Sequence, residues 1–297
     1  MKIRSGRPAV AVAVLAVIAS IAPVTAASPR SGPVEVTGTE RGHALAEQGA
    51  ARHRALGVPS KAASLRVWRT TDGGYLVGTR LPDNLRTSIE ERADGTVIAE
   101  MSYDVGGLDE GGAKTASLDG RLAAGPSWQW RSQGCFSRLG GSSGPGWLDS
   151  CYAIHKLVNE TNSRDYYKLE QWGTVAAANL GKIYNGWLAA TRAASGSSTM
   201  RWADWSPRGS TSGSCVNVTL SIAALGVGFS SPAFFCEQNI PHKSPTPGSF
   251  RMEWSCGCIW PFGQPVPNSR EIDYLQAVSV PNGGAARWTL SAGLHAR

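Results

Sequence analysis

The sequence predicts a mainly β protein: a disulfide-stabilised antiparallel β-sandwich, or a barrel, preceded by a small α+β region. Three observations carry that reading. From residue 216 to 222 the apolar Val216, Val218, Leu220 and Ile222 alternate with Asn217, Thr219 and Ser221, and a period of two marks a strand with one buried face. Short runs of this kind recur between Gly- and Pro-rich turns over residues 128–297, as in a sandwich or barrel. All six cysteines, Cys135, Cys151, Cys215, Cys236, Cys256 and Cys258, fall in that region. An even number in an exported chain points to disulfides.

Residues 1–26 read as a signal peptide. Lys2, Arg4 and Arg7 precede an apolar run over 9–22, and Val24-Thr25-Ala26 is a small-x-small cleavage site. The run is short against the roughly 20 residues a spanning helix needs. The expected location is therefore secreted and extracellular, with no stable membrane insertion. Loss of those three cations takes the net charge from +7 to +4, a mild excess that does not describe a nucleic-acid binder. Residues 27–38, rich in Pro, Ser, Gly and Thr, are expected to be disordered. Residues 39–56 read as a helix capped by Thr37 or Thr39, weakened by Gly42 and Gly49, with Ala44, Ala51 and Ala55 on a thin apolar face. Hairpins follow over 65–81 and 88–103, turning at Asp72-Gly73-Gly74 and Asp94-Gly95. Helix and hairpins make a small α+β unit over 39–105, and the Gly-rich 106–127 reads as a linker.

The larger domain, 128–297, offers strands at 166–176, 183–191, 216–222, 225–229, 250–254, 272–280 and 287–294. Pro281-Asn282-Gly283-Gly284 is a strong turn signal expected to join the last two as a pair, since Asn and Gly accept positive φ at low cost. The unit 214–238, bracketed by Cys215 and Cys236, reads as a hairpin with a bulge or tight turn near Leu225-Gly226. Its buried face carries no reactive group. Any site is expected in the flanking loops, 204–208 before it and 241–248 after it.

A bridge between Cys135 and Cys151 would enclose 15 residues, worth about 3 kcal/mol in chain entropy. Cys215 and Cys236 can close their unit in the same way. Cys256-Gly257-Cys258 is either a strained, redox-active pair or two cysteines bridged elsewhere, for instance Cys215 to Cys256. Gly140-Gly141-Ser142-Ser143-Gly144 matches G-x-S-x-G but lacks the strand before and the helix after that would expose the serine. The five histidines show no zinc spacing, and no cofactor motif is present. Trp202, Asp204 and Trp205 are the candidate ligand-binding residues: two tryptophans three apart form either a stacking platform for sugar rings or a plug at the sandwich end. Asp204 and Glu253, each beside a tryptophan, are the carboxylates a glycosidase would use. They also fit as polar positions alternating with core aromatics.

Gly134-Cys135, Trp147 through Tyr152, Tyr166 through Glu170, Trp202 through Pro207, and Cys215 with Gly226 and Cys236 together form a pattern. It resembles that of uncharacterised secreted proteins of high-GC Gram-positive bacteria, over residues 128–297. The resemblance implies export, a bacterial source, and pairing of Cys135 with Cys151 and of Cys215 with Cys236, with Cys256 and Cys258 added to a four-cysteine framework. It implies no activity and no catalytic residues.

The expected function is non-catalytic extracellular binding of a glycan, a cell-wall polymer or a protein. A secreted hydrolase using carboxylates near Asp204 and Glu253 is the alternative. A third reading is a toxin or inhibitor acting through a rigid loop between Cys135 and Cys151.

Overall fold

The computed structural model describes residues 32–93, 96–106, 127–139, 146–158, 163–176, 183–210, 216–222, 227–235, 239–255 and 269–296. Along the chain they form β1 (Val34–Glu35), α1 (Glu40–Ala55), β2 (Arg66–Arg69), β3 (Tyr75–Gly78), β4 (Asp83–Glu91), β5 (Val97–Gly106), β6 (Ser127–Leu139), β7 (Trp147–Val158) and β8 (Arg164–Ala176). There follow β9 (Ile183–Arg192), β10 (Arg201–Ser206), β11 (Val216–Ile222), β12 (Val227–Phe235), β13 (Asn239–Lys243), β14 (Phe250–Ser255), β15 (Ser269–Pro281) and β16 (Arg287–Ala296). A first sheet runs β1-β2-β3-β6-β7-β8-β15-β10, and a second runs β13-β14-β9-β16-β5-β4. All pairings within them are antiparallel, and the two sheets face each other as a sandwich rather than closing into a barrel. Among the described residues the strands β11 and β12 pair only with each other, and they lie against β10 and β15. Its register slips opposite Pro232, where a proline interrupts the ladder.

Among the described residues the expected strands are present, with Leu225 and Gly226 of the expected 225–229 lying outside them. Five others, β1, β6, β7, β10 and β13, join them. β7 is buried on both faces from Leu148 to Ile154, so it shows no alternation. β6 carries an extra residue, Arg131, that breaks its period. β10 and β13 are short edge strands. Three expectations change. Pro281-Asn282-Gly283-Gly284 does turn, with Gly283 at φ 75°, but it carries the chain between sheets. β15 pairs with β8 and β10, and β16 with β5 and β9. In-phase apolar residues there face each other across the core instead of lying side by side. The strands of 39–105 join both sheets, since β3 pairs with β6 and β5 with β16. Within 27–38, β1 pairs with β2, and the Val67 amide donates to Thr37 Oγ1.

Between the sheets lies one apolar core, with Phe136, Ile154 and Tyr274 from the first and Met101, Phe250 and Trp288 from the second. A polar bridge crosses its middle. Tyr103 of β5 donates to the Ser150 hydroxyl at 2.9 Å, and Gln171 Nε2 donates to that hydroxyl at 2.9 Å and to the Ser291 carbonyl at 3.2 Å. Tyr274 donates to Gln171 Oε1. Buried polar groups need such partners, because an unmet one costs about 1–3 kcal/mol.

The outer face of the first sheet is covered by α1. Thr39 caps it by accepting from the Gly42 amide at 3.0 Å. Its buried face is Gly42, Leu45, Ala46, Gly49, Ala50 and His53, while Ala44, Ala51 and Ala55 are exposed. The glycines that weaken the helix let it dock: a Cβ at Gly42 would collide with the Val36 carbonyl, and one at Gly49 with Val77. Below its last turn, Cys135 and Cys151 are facing partners on β6 and β7 and form a disulfide, covered by Val58 and Trp172. Cys215, Cys236, Cys256 and Cys258 lie outside the described residues. A buried polar latch holds the helix down. Arg52 donates to Asp149 at 2.5 Å, Ser137 donates to Asp149 at 2.6 Å, His53 Nε2 sits 3.1 Å from Ser137 Oγ, and Trp172 Nε1 donates to the Leu56 carbonyl at 2.9 Å.

Burial pushes the His53 imidazole below its ordinary value, outweighing the nearby Asp149 carboxylate. The folded protein thus takes up this proton less readily than the unfolded chain. The stability contributed is complete above the unfolded value of about 6.5 and is lost as pH falls below it. Urea midpoints are expected to drop from about pH 7.5 to about pH 5.5, and to drop less in His53→Gln. An equal drop in both proteins contradicts the latch.

Candidate functional site

The extra residue Ala203 in β10 decides where the candidate tryptophans go. Trp202 pairs with Val278 and Trp205 with Gln276, so both rings share the inner face, while Asp204 pairs with Ala277 and turns outward. The rings meet edge to face, 5.8 Å apart and inclined by 61°, and pack on the core. The flanking loops do converge here. Trp202 Nε1 donates to the Ser244 carbonyl, and Lys243 Nζ lies 5.2 Å from the Trp202 ring and 4.4 Å from the Trp205 ring. Arg208 lies over Trp205 and pairs with the buried Asp204. Two inclined rings capped by cations do not offer the flat open face that sugar stacking uses.

Other tryptophans carry the same cover. Arg52 lies 4.6 Å from the Trp147 ring, Arg251 lies 4.5 Å from Trp187, and Arg270 lies 4.8 Å from Trp254. Glu253 points away from the core beside Arg251, at 3.0 Å, and accepts from Asn185. It stands on the second sheet, whereas Asp204 stands on the first, and each is tied to an arginine. Ser142 and its glycines lie outside the described residues. Among the described residues no three His, Cys, Asp or Glu side chains group as a metal site.

On the outer face of the first sheet, His155 and Lys168 are cross-strand partners, with Glu170 on the same face and Asp273 on the neighbouring strand. Burial holds Lys168 down to about 7, and burial together with Lys168 holds His155 down to about 4. Burial, then Glu170 and Glu271, push Asp273 well above the usual carboxylate range. Displaced proton affinities mark candidate sites only where a ligand can reach them, and neither cavity described below is lined by these four side chains.

A cavity stands apart from these residues. It has a volume of about 510 Å³ and lies where the ends of β4, β5 and β16 face β6 and β7. Three arginines line it: Arg131 from the first sheet, Arg287 from the second, and Arg80 from the link between β3 and β4. Two bulges shape its walls. Arg131 is the extra residue of β6, set between Trp130 and Ser132. In β4 an extra residue between Asp83 and Arg86 puts Asn84 at φ 52°, the left-handed region that Asn tolerates better than most residues. Asn84 donates to Asp104 at 2.6 Å and Thr289 donates to its other oxygen at 2.5 Å, which fixes that carboxylate in the wall. Ser132 and Ser195 add hydroxyls. Among the described residues Arg80, Arg287 and Asp83 make no side-chain hydrogen bond or ion pair, so their polar atoms are available to a ligand. A second cavity of about 450 Å³ includes Arg52 and Asp149, which already hold each other.

Sequence reasoning named none of the three arginines. They are far apart in the chain, and the facing of the two sheets brings their elements together.

Removal of Lys243 is expected to leave stability within about 1 kcal/mol, the usual worth of a cation over an exposed ring. In Lys243→Ala, iodide quenching of tryptophan fluorescence is expected to rise; unchanged quenching means that the rings were never capped. For Lys168 the folded value lies below the unfolded one, so stability is expected to rise from about pH 7 to about pH 9 as the unfolded lysine's proton advantage fades. Lys168→Met removes that rise, and persistence of the rise in the variant contradicts the assignment.

No protein-family model matches the sequence, and a search of curated proteins finds no match. The functional reading therefore rests on the geometry of the site.

Proposed function

We propose that the protein is a non-catalytic, exported binding protein that takes an anionic ligand into the cavity between its two sheets. One observation carries this reading: three arginines from three separate elements line a single cavity, and two of them have no anion among the described residues. Guanidinium groups suit this task, because their planar forks match carboxylate and phosphate oxygens and stay charged at any physiological pH. The cavity volume falls in the range of roughly 300–1,000 Å³ typical of ligand sites.

Three further observations support the reading. Bulges that re-aim side chains gather beside binding sites, and this cavity has one on each sheet. The signal-like 1–26 and the mild positive charge suit an extracellular anionic glycan or cell-wall polymer. The cation caps on the tryptophans leave charge, rather than stacking, as the means of recognition. A hydrolase using Asp204 with Glu253 finds no support in their positions on separate sheets.

Retention of the protein on purified anionic wall polymers and polysaccharides tests the proposal. Binding is expected to weaken as salt screens it, and to fall at least tenfold in the Arg80→Ala/Arg287→Ala double variant with an unchanged circular dichroism spectrum. Equal retention of the double variant and the parent rejects the cavity as the site.

A further inference from the structure

The lining of this cavity also constrains its ligand. We infer that the ligand is a hydroxylated monocarboxylate, of the kind presented by a uronic acid residue. This inference rests on the anion-binding reading above. Three arginines stand against two carboxylates, Asp83 and Asp104, so the formal charge of the lining is +1. A monoanion neutralises it. A phosphate dianion would leave an excess negative charge and bring its second charge against the two aspartates, a repulsion that costs most where water is displaced. A neutral sugar would leave Arg80 and Arg287 unmatched.

The aspartates differ in what they offer. Asp104 is held in place by Asn84 and Thr289. Asp83 lines the same cavity, and its side chain makes no hydrogen bond or ion pair among the described residues. A carboxylate accepts hydrogen bonds and donates none when ionised. Beside arginines that claim the ligand's anionic group, Asp83 is therefore suited to hydroxyl donors on the same ligand. A bare inorganic ion meets neither requirement and fills little of about 510 Å³. A zwitterion would satisfy Asp83 with its ammonium but would leave the +1 uncancelled.

Calorimetric titration of the full chain with D-glucuronate, acetate, inorganic phosphate and D-glucose tests the inference. Glucuronate is expected to bind at least tenfold tighter than each of the others, and Arg287→Ala to lose at least tenfold in glucuronate affinity. Asp83→Asn removes a negative charge and so strengthens acetate binding, while the ratio of glucuronate to acetate affinity is expected to fall several-fold. Phosphate binding as tight as glucuronate overturns the carboxylate assignment and leaves the anion site standing. An unchanged ratio in Asp83→Asn overturns the role of the hydroxyls. Absence of binding by all three anions, in a protein whose fold is verified, overturns both the inference and the reading beneath it.

Discussion

The buried bridge from Tyr103 through Ser150 and Gln171 to Tyr274 and the Ser291 carbonyl fixes how the two sheets face each other. An apolar core alone tolerates small slips, because hydrophobic burial has no direction. A hydrogen-bonded chain across the core does not. Sliding one sheet past the other by a residue, about 3.3 Å, would part these donors from their acceptors and strand these polar groups in a dry interior. The cavity depends on that registration. Arg131 and Ser132 reach it from the first sheet, and Asp104 and Arg287 from the second, so their convergence is a property of the facing arrangement rather than of either sheet.

Local breaks in strand period then aim the side chains. Arg131 in β6, Asn84 in β4 and Ala203 in β10 mark the extra residues. The first two shape the cavity, and the third puts Trp202 and Trp205 on the core side. A regular strand would alternate their directions. The same breaks hide the site from periodicity, since a bulge looks like a failed pattern when only the sequence is read.

Much of the fold was legible where one strand face is wet. Val216–Ile222 and Phe250–Ser255 alternate and appear as β11 and β14. Legibility fails where burial is two-sided, as in β7, and where a turn signal leaves the partner of the next strand open, as between β15 and β16. Asn and Gly specify that a chain reverses, but not whether the next strand lies beside the last or across the core. The helix was legible from its composition, but its docking face was not, because glycines chosen for close approach look like weaknesses. For the candidate site the tryptophans drew notice by their size. The arginines drew none, because scattered surface cations are ordinary in any sequence.

On the proposed function, the tryptophans serve the structure under their cation caps and the arginines serve recognition. Heteronuclear NMR during titration with an anionic saccharide separates these roles most directly, because arginine Nε–H and indole Nε1–H signals are resolved from one another. The account predicts shifts at Arg80, Arg131 and Arg287, with the indoles of Trp202 and Trp205 unmoved. Shifts at those two indoles with the three arginines silent would contradict it.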